Sequence, residues 1–375
     1  GHDLPTSDRT GDQFPVMGSS GVTGSHGEPK TDGEGVVVGR SGASYGEVSY
    51  CNEPFWPLNT TLYVVDFHGN DRRFAYYFLQ NMNFKPYNSG SAQPSLNRNI
   101  IHPIEIKIPP LPAQRRIADI LGALDDKIEL NRRMNETLEE MAQTLYRHWF
   151  VDFGPFQDRE FKDTEELGPI PEGWDTQKVK EFGKVVLGST PSTKNEDNYG
   201  SEYPFIKIPD MHGQVFVDET ENYLSEKGAQ SQHKRFLPPD SIVVSCIATP
   251  GLVTITSQKS QTNQQINSVI PESKKLREYL YLTFEYQSRR IKRLASGGTA
   301  TAILNKTDFS NVELLSPPFD VIEAFHEKCS AWFDLMKNNR AENQILAETR
   351  DYLLPKLISG KIEVGEAQEA VESAA

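Results

Sequence analysis

The sequence predicts an α+β fold in which two pseudo-symmetric mixed α/β domains are separated by two long antiparallel helices forming a coiled-coil-like spacer. Three observations predict it. A segment recurs at a constant offset, a heptad seam follows each copy, and short β-branched runs bounded by turn residues occupy the remainder of the 375 residues.

The repeat comes first because it organises the rest. SGSAQPSLNRNIIHPIEIKIPPLP, from Ser89, aligns with GGTATAILNKTDFSNVELLSPPFD, from Gly297: Gly90 faces Gly298, Leu96-Asn97-Arg98 faces Leu304-Asn305-Lys306, and Pro109-Pro110 faces Pro317-Pro318, always 208 residues apart. The register runs on into the helices. Ile117, Leu121, Leu124, Ile128, Asn131, Asn135, Leu138, Ala142, Leu145 and Trp149 alternate spacings of four and three, and adding 208 gives a second seam from Phe325 to Leu353. Asn131 and Asn135 recur as Asn339 and Asn343. A tandem repeat related by a two-fold axis favours antiparallel packing, which brings the four amides together at the centre. Buried amides cost free energy unless paired, so the layer penalises slipped registers.

Strand signals fill the domains. In the second they are VKEFGKVVLG, YPFIKI, SIVVSCI and LVTITS, followed from Ser273 by SKKLREYLYLTFEYQSRRIKRL, read as an amphipathic basic helix. In the first, EGVVVGRSG and TTLYVV play the strand role and DRRFAYYFLQNM the helix role. Val36-Val37-Val38 faces Ile242-Val243-Val244 at an offset of 206, and Pro15 faces Pro204 at 189. The opening segment LGPIPEGWDTQKVKEFGKVVLGSTPST has no counterpart before Pro15, so the first domain is expected to lack its opening strand. The division expected is a first domain over 1–110, a helix over 111–153, a linker over 154–172, a second domain over 173–318, a helix over 319–360 and a flexible acidic tail over 361–375.

Composition narrows the function classes. Apolar residues make up 37% and aromatic residues 10%, with no run near the ~18 apolar residues of a membrane span. Cys51, Cys246 and Cys329 are scattered without metal spacing, which predicts idle thiols in a reducing, cytoplasmic setting. The net charge of −13 argues at first against nucleic acid, but the excess negative charge falls mostly in the helices, linker and tail. The near-neutral domains leave room for a local basic face. No Walker A, HExxH, paired-cysteine or Asn-Pro-Pro-Tyr signature is present, and Gly18, Gly21 and Gly24 sit at turn spacing. His326-Glu327 is read as an exposed helical pair. Binding is therefore favoured over turnover.

The helix stretch PPLPAQRRIADILGALDDKIELNRRMNETLEEMAQTLYRHWFVDFGP, the LGPIPEGW and LLPKLISGKI segments, FWPLNTTLYVV and GSAQPSLNR together resemble the specificity subunit of type I restriction-modification systems, over nearly the whole chain. The resemblance implies two inverted target-recognition domains, each reading one half of a split double-stranded DNA site. It implies a non-catalytic chain with no cofactor of its own. Its partners would be two modification subunits that methylate adenine with S-adenosylmethionine, and restriction subunits that use ATP and Mg²⁺. Two other readings compete: a stand-alone DNA methyltransferase or nuclease, disfavoured by the missing signatures, and a coiled-coil adaptor with no DNA role.

Physical reasoning adds a ruler and a list of residues. The seam from Ile117 to Trp149 is about 50 Å long at ~1.5 Å per residue, on the order of 1 to 1.5 turns of B-DNA at ~34 Å each. Helix length would then set the spacer between half-sites. DNA contacts are expected from Lys30, Arg40, Ser41 and Arg98 in the first domain and from Lys207, Lys234, Arg235, Lys259 and Lys306 in the second. The recurrence of Arg98 as Lys306 points to scaffold use over sequence reading. Arg289, Arg290, Lys292 and Arg293 cluster on one helix as further phosphate candidates. No metal ligands are expected. Asp125 and Asp126 are the candidates for docking partner subunits, and reversing their charge is expected to weaken assembly while sparing the fold.

Overall fold

Double prolines start both long helices of the computed structural model, Pro109-Pro110 before Leu111–Phe150 and Pro317-Pro318 before Phe319–Ser359. Proline preorganises a first helical turn, where its missing N–H forfeits no helical bond. The structure describes residues 1–90, 93–296 and 302–374. The repeat position Gly298 lies outside them. The chain divides into two units, Gly1–Arg132 with Arg340–Ala375, and Arg133–Asn339, so each long helix contributes one stretch to each unit.

In the first unit, the strand Gly35–Gly39 lies between Val48–Cys51 and Thr61–Tyr63, antiparallel to both. Its Val36-Val37-Val38 run is buried on both faces. Val37 packs with Met17, Cys51 and Phe55, and Val38 with Phe84 and Leu96, which is why the run carries no polar alternation. A second small sheet sets Phe14–Gly18 antiparallel to Gly21–His26 and parallel to Trp56–Pro57. The helix Arg72–Gln80 is capped by Asp71, whose carboxylate accepts from the Phe74 amide at 2.8 Å. It buries Phe74 and Tyr77 against Ile117, Leu121 and Leu124 of the first long helix and Leu346, Leu353 and Leu357 of the second. The acidic tail, expected to be flexible, is instead the helix Val364–Ala374, with Ala367 buried in this same core. Apolar residues spaced along it (Val364, Ala367, Val371) form a stripe that the acidic count concealed.

The second unit repeats the plan. The strand Ile242–Ser245 lies between Val253–Thr256 and Ile266–Pro271, and Tyr199–Ile206 runs parallel to Gln261–Thr262 as Phe14–Gly18 does to Trp56–Pro57. One backbone bond recurs at the repeat itself: the Leu96 amide donates to Arg40 O at 2.7 Å, and the Leu304 amide to Cys246 O at 2.9 Å. Additional strands are found here. Gly183–Leu187 extends the sheet beyond Ile266–Pro271, and Asp175–Lys178 pairs with Glu313–Ser316. Among the described residues the first unit has no counterpart of either. The linker region contains a hairpin, Phe161–Thr164 with Gly168–Pro171.

The segment from Ser273 is not one amphipathic helix. It divides at Gln287 into Arg277–Tyr286, buried from Arg277 through Phe284, and Ser288–Ala295, which alone has an exposed basic face. Glu278 is fully buried, held by Arg277 Nε at 2.8 Å and by His326 Nδ1 at 2.7 Å. His326 is thus an internal partner of a buried carboxylate, not half of an exposed pair. A lone ring on a helix surface shows no sign in sequence of a carboxylate 48 positions earlier.

Within each unit the long helices run antiparallel, and the amides meet in two pairs. In the first, Asn131 Nδ2 donates to Asn343 Oδ1 at 2.9 Å and to Glu342 Oε2 at 2.7 Å. In the second, Asn339 Nδ2 donates to Asn135 Oδ1 at 2.8 Å, and Asn135 Nδ2 to Met336 O at 3.2 Å. Asn131 is fully buried, so removing its amide leaves Asn343 short of a partner. Asn131→Leu is therefore expected to cost about 1–3 kcal/mol, and Asn131→Leu with Asn343→Leu to recover most of it, as read by urea unfolding.

Candidate nucleic-acid interface

Sheet register and one tight turn build a basic groove in the second unit. Lys184 is the second residue of the edge strand Gly183–Leu187 and is exposed, whereas Val185 and Val186 after it are buried in two separate hydrophobic layers. Lys234 belongs to the turn His233–Arg235, and Lys306 opens the helix Lys306–Ser310, capped by Asn305 whose side chain accepts from the Asp308 amide at 3.0 Å. These three lysines, with His233 and Arg235, line one groove that has no acidic residue in its wall. All three are exposed, and among the described residues none is in an ion pair. Arg235 differs: its guanidinium donates to Leu187 O at 2.5 Å and Gly188 O at 2.9 Å, so it fixes the groove wall to the edge strand.

The other expected contacts distribute unevenly. Lys207 lies 5.7 Å from the Phe205 ring centre, and Lys259 lies 3.9 Å from that of Phe236 and 5.2 Å from that of Tyr203; neither lines the groove. In the first unit Arg40, Ser41 and Arg98 come together, because Ser41 bridges Ser95 and the Arg40 carbonyl accepts from Leu96. Lys30 is apart from them. It sits 4.5 Å from the Trp56 ring centre in a cleft shared with Asp32, Glu34 and Asp66. On the basic helix, Arg290 is committed internally, donating to Glu313 O at 2.7 Å and pairing with Glu166, whereas Arg289, Lys292 and Arg293 are exposed. Lys184 and His233 were missed in the sequence. Nothing adjacent in the sequence marks either, and only the fold brings Lys184 to the same groove as Lys234 and Lys306.

Asp125 and Asp126 both have partners within the first unit, Asp125 half-buried and Asp126 exposed. Asp125 accepts from Tyr77 Oη at 2.5 Å and from Arg350 at 2.8 Å, and Asp126 takes both terminal nitrogens of Arg73 at 2.6 and 2.9 Å. Charge reversal at Asp125, the less exposed of the two, is expected to cost stability of the first unit in addition to any effect on assembly. Among the described residues, no group of three His, Cys, Asp or Glu could hold a metal ion, and no helix is long and apolar enough to cross a membrane.

Comparison with known proteins agrees with the architecture. The type I restriction modification DNA specificity domain matches residues 6–140 and again 171–348. The HindI specificity subunit of Haemophilus influenzae is 38% identical over 327 residues, 72% of this chain and 71% of that one. The MjaIX specificity subunit of Methanocaldococcus jannaschii is 25% identical over 351 residues, 89% and 79% of the two chains. Among solved structures, the S subunit of a type I restriction-modification system from M. genitalium superposes with a TM-score of 0.63 at 15% identity, covering 96% of this chain and 92% of that one. A mixed α/β domain present twice, with paired long helices, is the architecture of a two-domain DNA specificity protein. The chain belongs to the family of type I restriction-modification specificity subunits.

Proposed function

We propose that this chain is the DNA-reading, non-catalytic subunit of a type I restriction-modification complex, in which each mixed domain reads one half of a bipartite double-stranded site. The observation that carries the reading is the groove of Lys184, Lys234 and Lys306. It gathers positive charge without acidic walls in a chain of net charge −13, as phosphate contact requires. Arg40 and Arg98 supply the first domain's share, beside the same recurring backbone bond. The lysines position the duplex, and polar side chains at the sheet edge are left to read bases.

The long helices then act as spacer and docking surface for two modification subunits, which supply S-adenosylmethionine chemistry at adenine; restriction subunits supply the ATP- and Mg²⁺-dependent step. Apolar side chains on the helices, Met141, Ile345 and Tyr352 exposed and Leu145 and Trp332 half-buried, support the docking role. Met141, Leu145 and Trp332 line a groove in the second unit, and Ile345 and Tyr352 stand exposed in the first, at the repeat positions of Thr137 and Thr144 from that groove. The test is to co-express the chain with its modification subunit in a methylation-free host and map methylated adenines genome-wide. A single bipartite motif with a fixed spacer is expected. A contiguous motif, or methylation by this chain alone, contradicts the reading.

A further inference from the structure

Each unit contains the same grip between its mixed domain and its stretch of the helix pair. In the first, Arg73 and Tyr77, four residues apart on the helix Arg72–Gln80, reach Asp126 and Asp125. In the second, Arg277 and Tyr281, again four apart on Arg277–Tyr286, reach Asp334 at 2.8 Å and Glu139 at 3.0 Å. A spacing of four places both side chains on one helix face, so a single face carries an arginine and a tyrosine to two carboxylates. Asp126 and Asp334 are 208 residues apart, the offset of the repeat.

A glycine is fitted to the first grip. Arg73 also donates to Gly122 O at 3.0 Å, and a Cβ at residue 122 would lie 2.7 Å from the Arg73 guanidinium carbon. Glycine in a helix interior is less favourable than alanine by about 1 kcal/mol, so its presence here is explained by the arginine lying flat on the helix. Burial, then Asp125, raises the Tyr77 pKa, so the phenol stays a proton donor to that carboxylate throughout the neutral range.

We propose that these two grips are joints: Arg73 with Asp126, and Arg277 with Asp334, set the angle at which each recognition domain is held on its helices, and thereby restrict which spacer between half-sites is accepted. The inference rests on the DNA-reading function proposed above. These are positioning residues, and none of them touches the reacting base.

The test uses the full chain assembled with its modification subunit. The probes are duplexes carrying the two half-sites found by methylation mapping, with the spacer at its native length or one base pair shorter or longer. Initial rates of methyl transfer give the spacer preference. Gly122→Ala, Asp126→Asn and Asp334→Asn are expected to lower that preference at least fivefold, with thermal midpoints at or above wild type for Gly122→Ala. Side chains of Asp126 and Asp334 are 67% and 62% exposed, so their amides are compatible with folding. The swap Arg73→Asp with Asp126→Arg is expected to restore the preference. Wild-type preference in Gly122→Ala and Asp334→Asn, or a swap that folds but restores nothing, overturns the joints. A wild-type complex indifferent to the spacer overturns the bipartite reading instead.

Discussion

Replacing Lys184, Lys234 and Lys306 together with alanine is expected to lower the slope of log affinity against log salt by about 3, roughly 1 per lysine–phosphate contact. The argument is one of charge. Each phosphate neutralised by a lysine releases condensed counterions, so affinity and its salt dependence fall together. The three ammonium groups share one groove, stand exposed and face no carboxylate in its wall, so their field is available to an incoming backbone. Phosphates carry no sequence information, hence binding to cognate and unrelated duplexes should weaken in proportion. The measurement is DNA binding by the assembled complex across a salt series. An unchanged slope would remove the groove from the DNA interface. Arg235→Ala should behave differently, lowering stability as well, because that guanidinium ties the turn to the Leu187 and Gly188 carbonyls.

Arg277→Met is expected to reduce the unfolding free energy of the second unit by about 3–5 kcal/mol, the cost of leaving a buried charge unpaired. Glu278 is fully buried, and Arg277 is its guanidinium partner, at 2.6 Å from Nη2, with further bonds to Asp240 and Asp334. Burial opposes the arginine's charge, yet Glu278 and the two aspartates outweigh it, and the pKa of Arg277 lies above its ordinary value. Without it, the His326 ring is the partner of Glu278 that remains. Arg277→Met with Glu278→Leu is expected to recover most of the loss, since apolar replacement of a buried pair is often neutral or stabilising. Denaturant unfolding of the three proteins provides the test. A single variant costing less than about 1 kcal/mol would show that solvent reaches Glu278 after all.

What could be foreseen from sequence follows a physical divide. The repeat, the proline boundaries and the seam asparagines are periodic signals, each defined by its neighbours along the chain. The seam's Arg350 was different, since it occupies a position where Ala142 stands in the first copy and looks like a flaw. Its partner Asp125 lies 225 positions away, and only the fold joins them. Glu278 gave no sign of burial because a charge in a helical pattern is normally solvated. The candidate interface divides in the same way. Lys306 is marked in sequence by its repeat position and Lys234 by its charge alone, and only the fold brings Lys184 into the same groove. Lys30, equally basic in composition, ended among acidic neighbours.

The central claim is that paired helices determine the distance at which two DNA readers act. Its most direct test is to insert one heptad into both helices at matched points, after Arg132 and after Asn339, where each helix passes from one unit to the other. Seven residues lengthen a helix by about 10 Å, the rise of roughly three base pairs. Methylated-adenine mapping of the extended complex is expected to return the same two half-sites with a longer preferred spacer. The same half-sites at the native spacer would contradict the account.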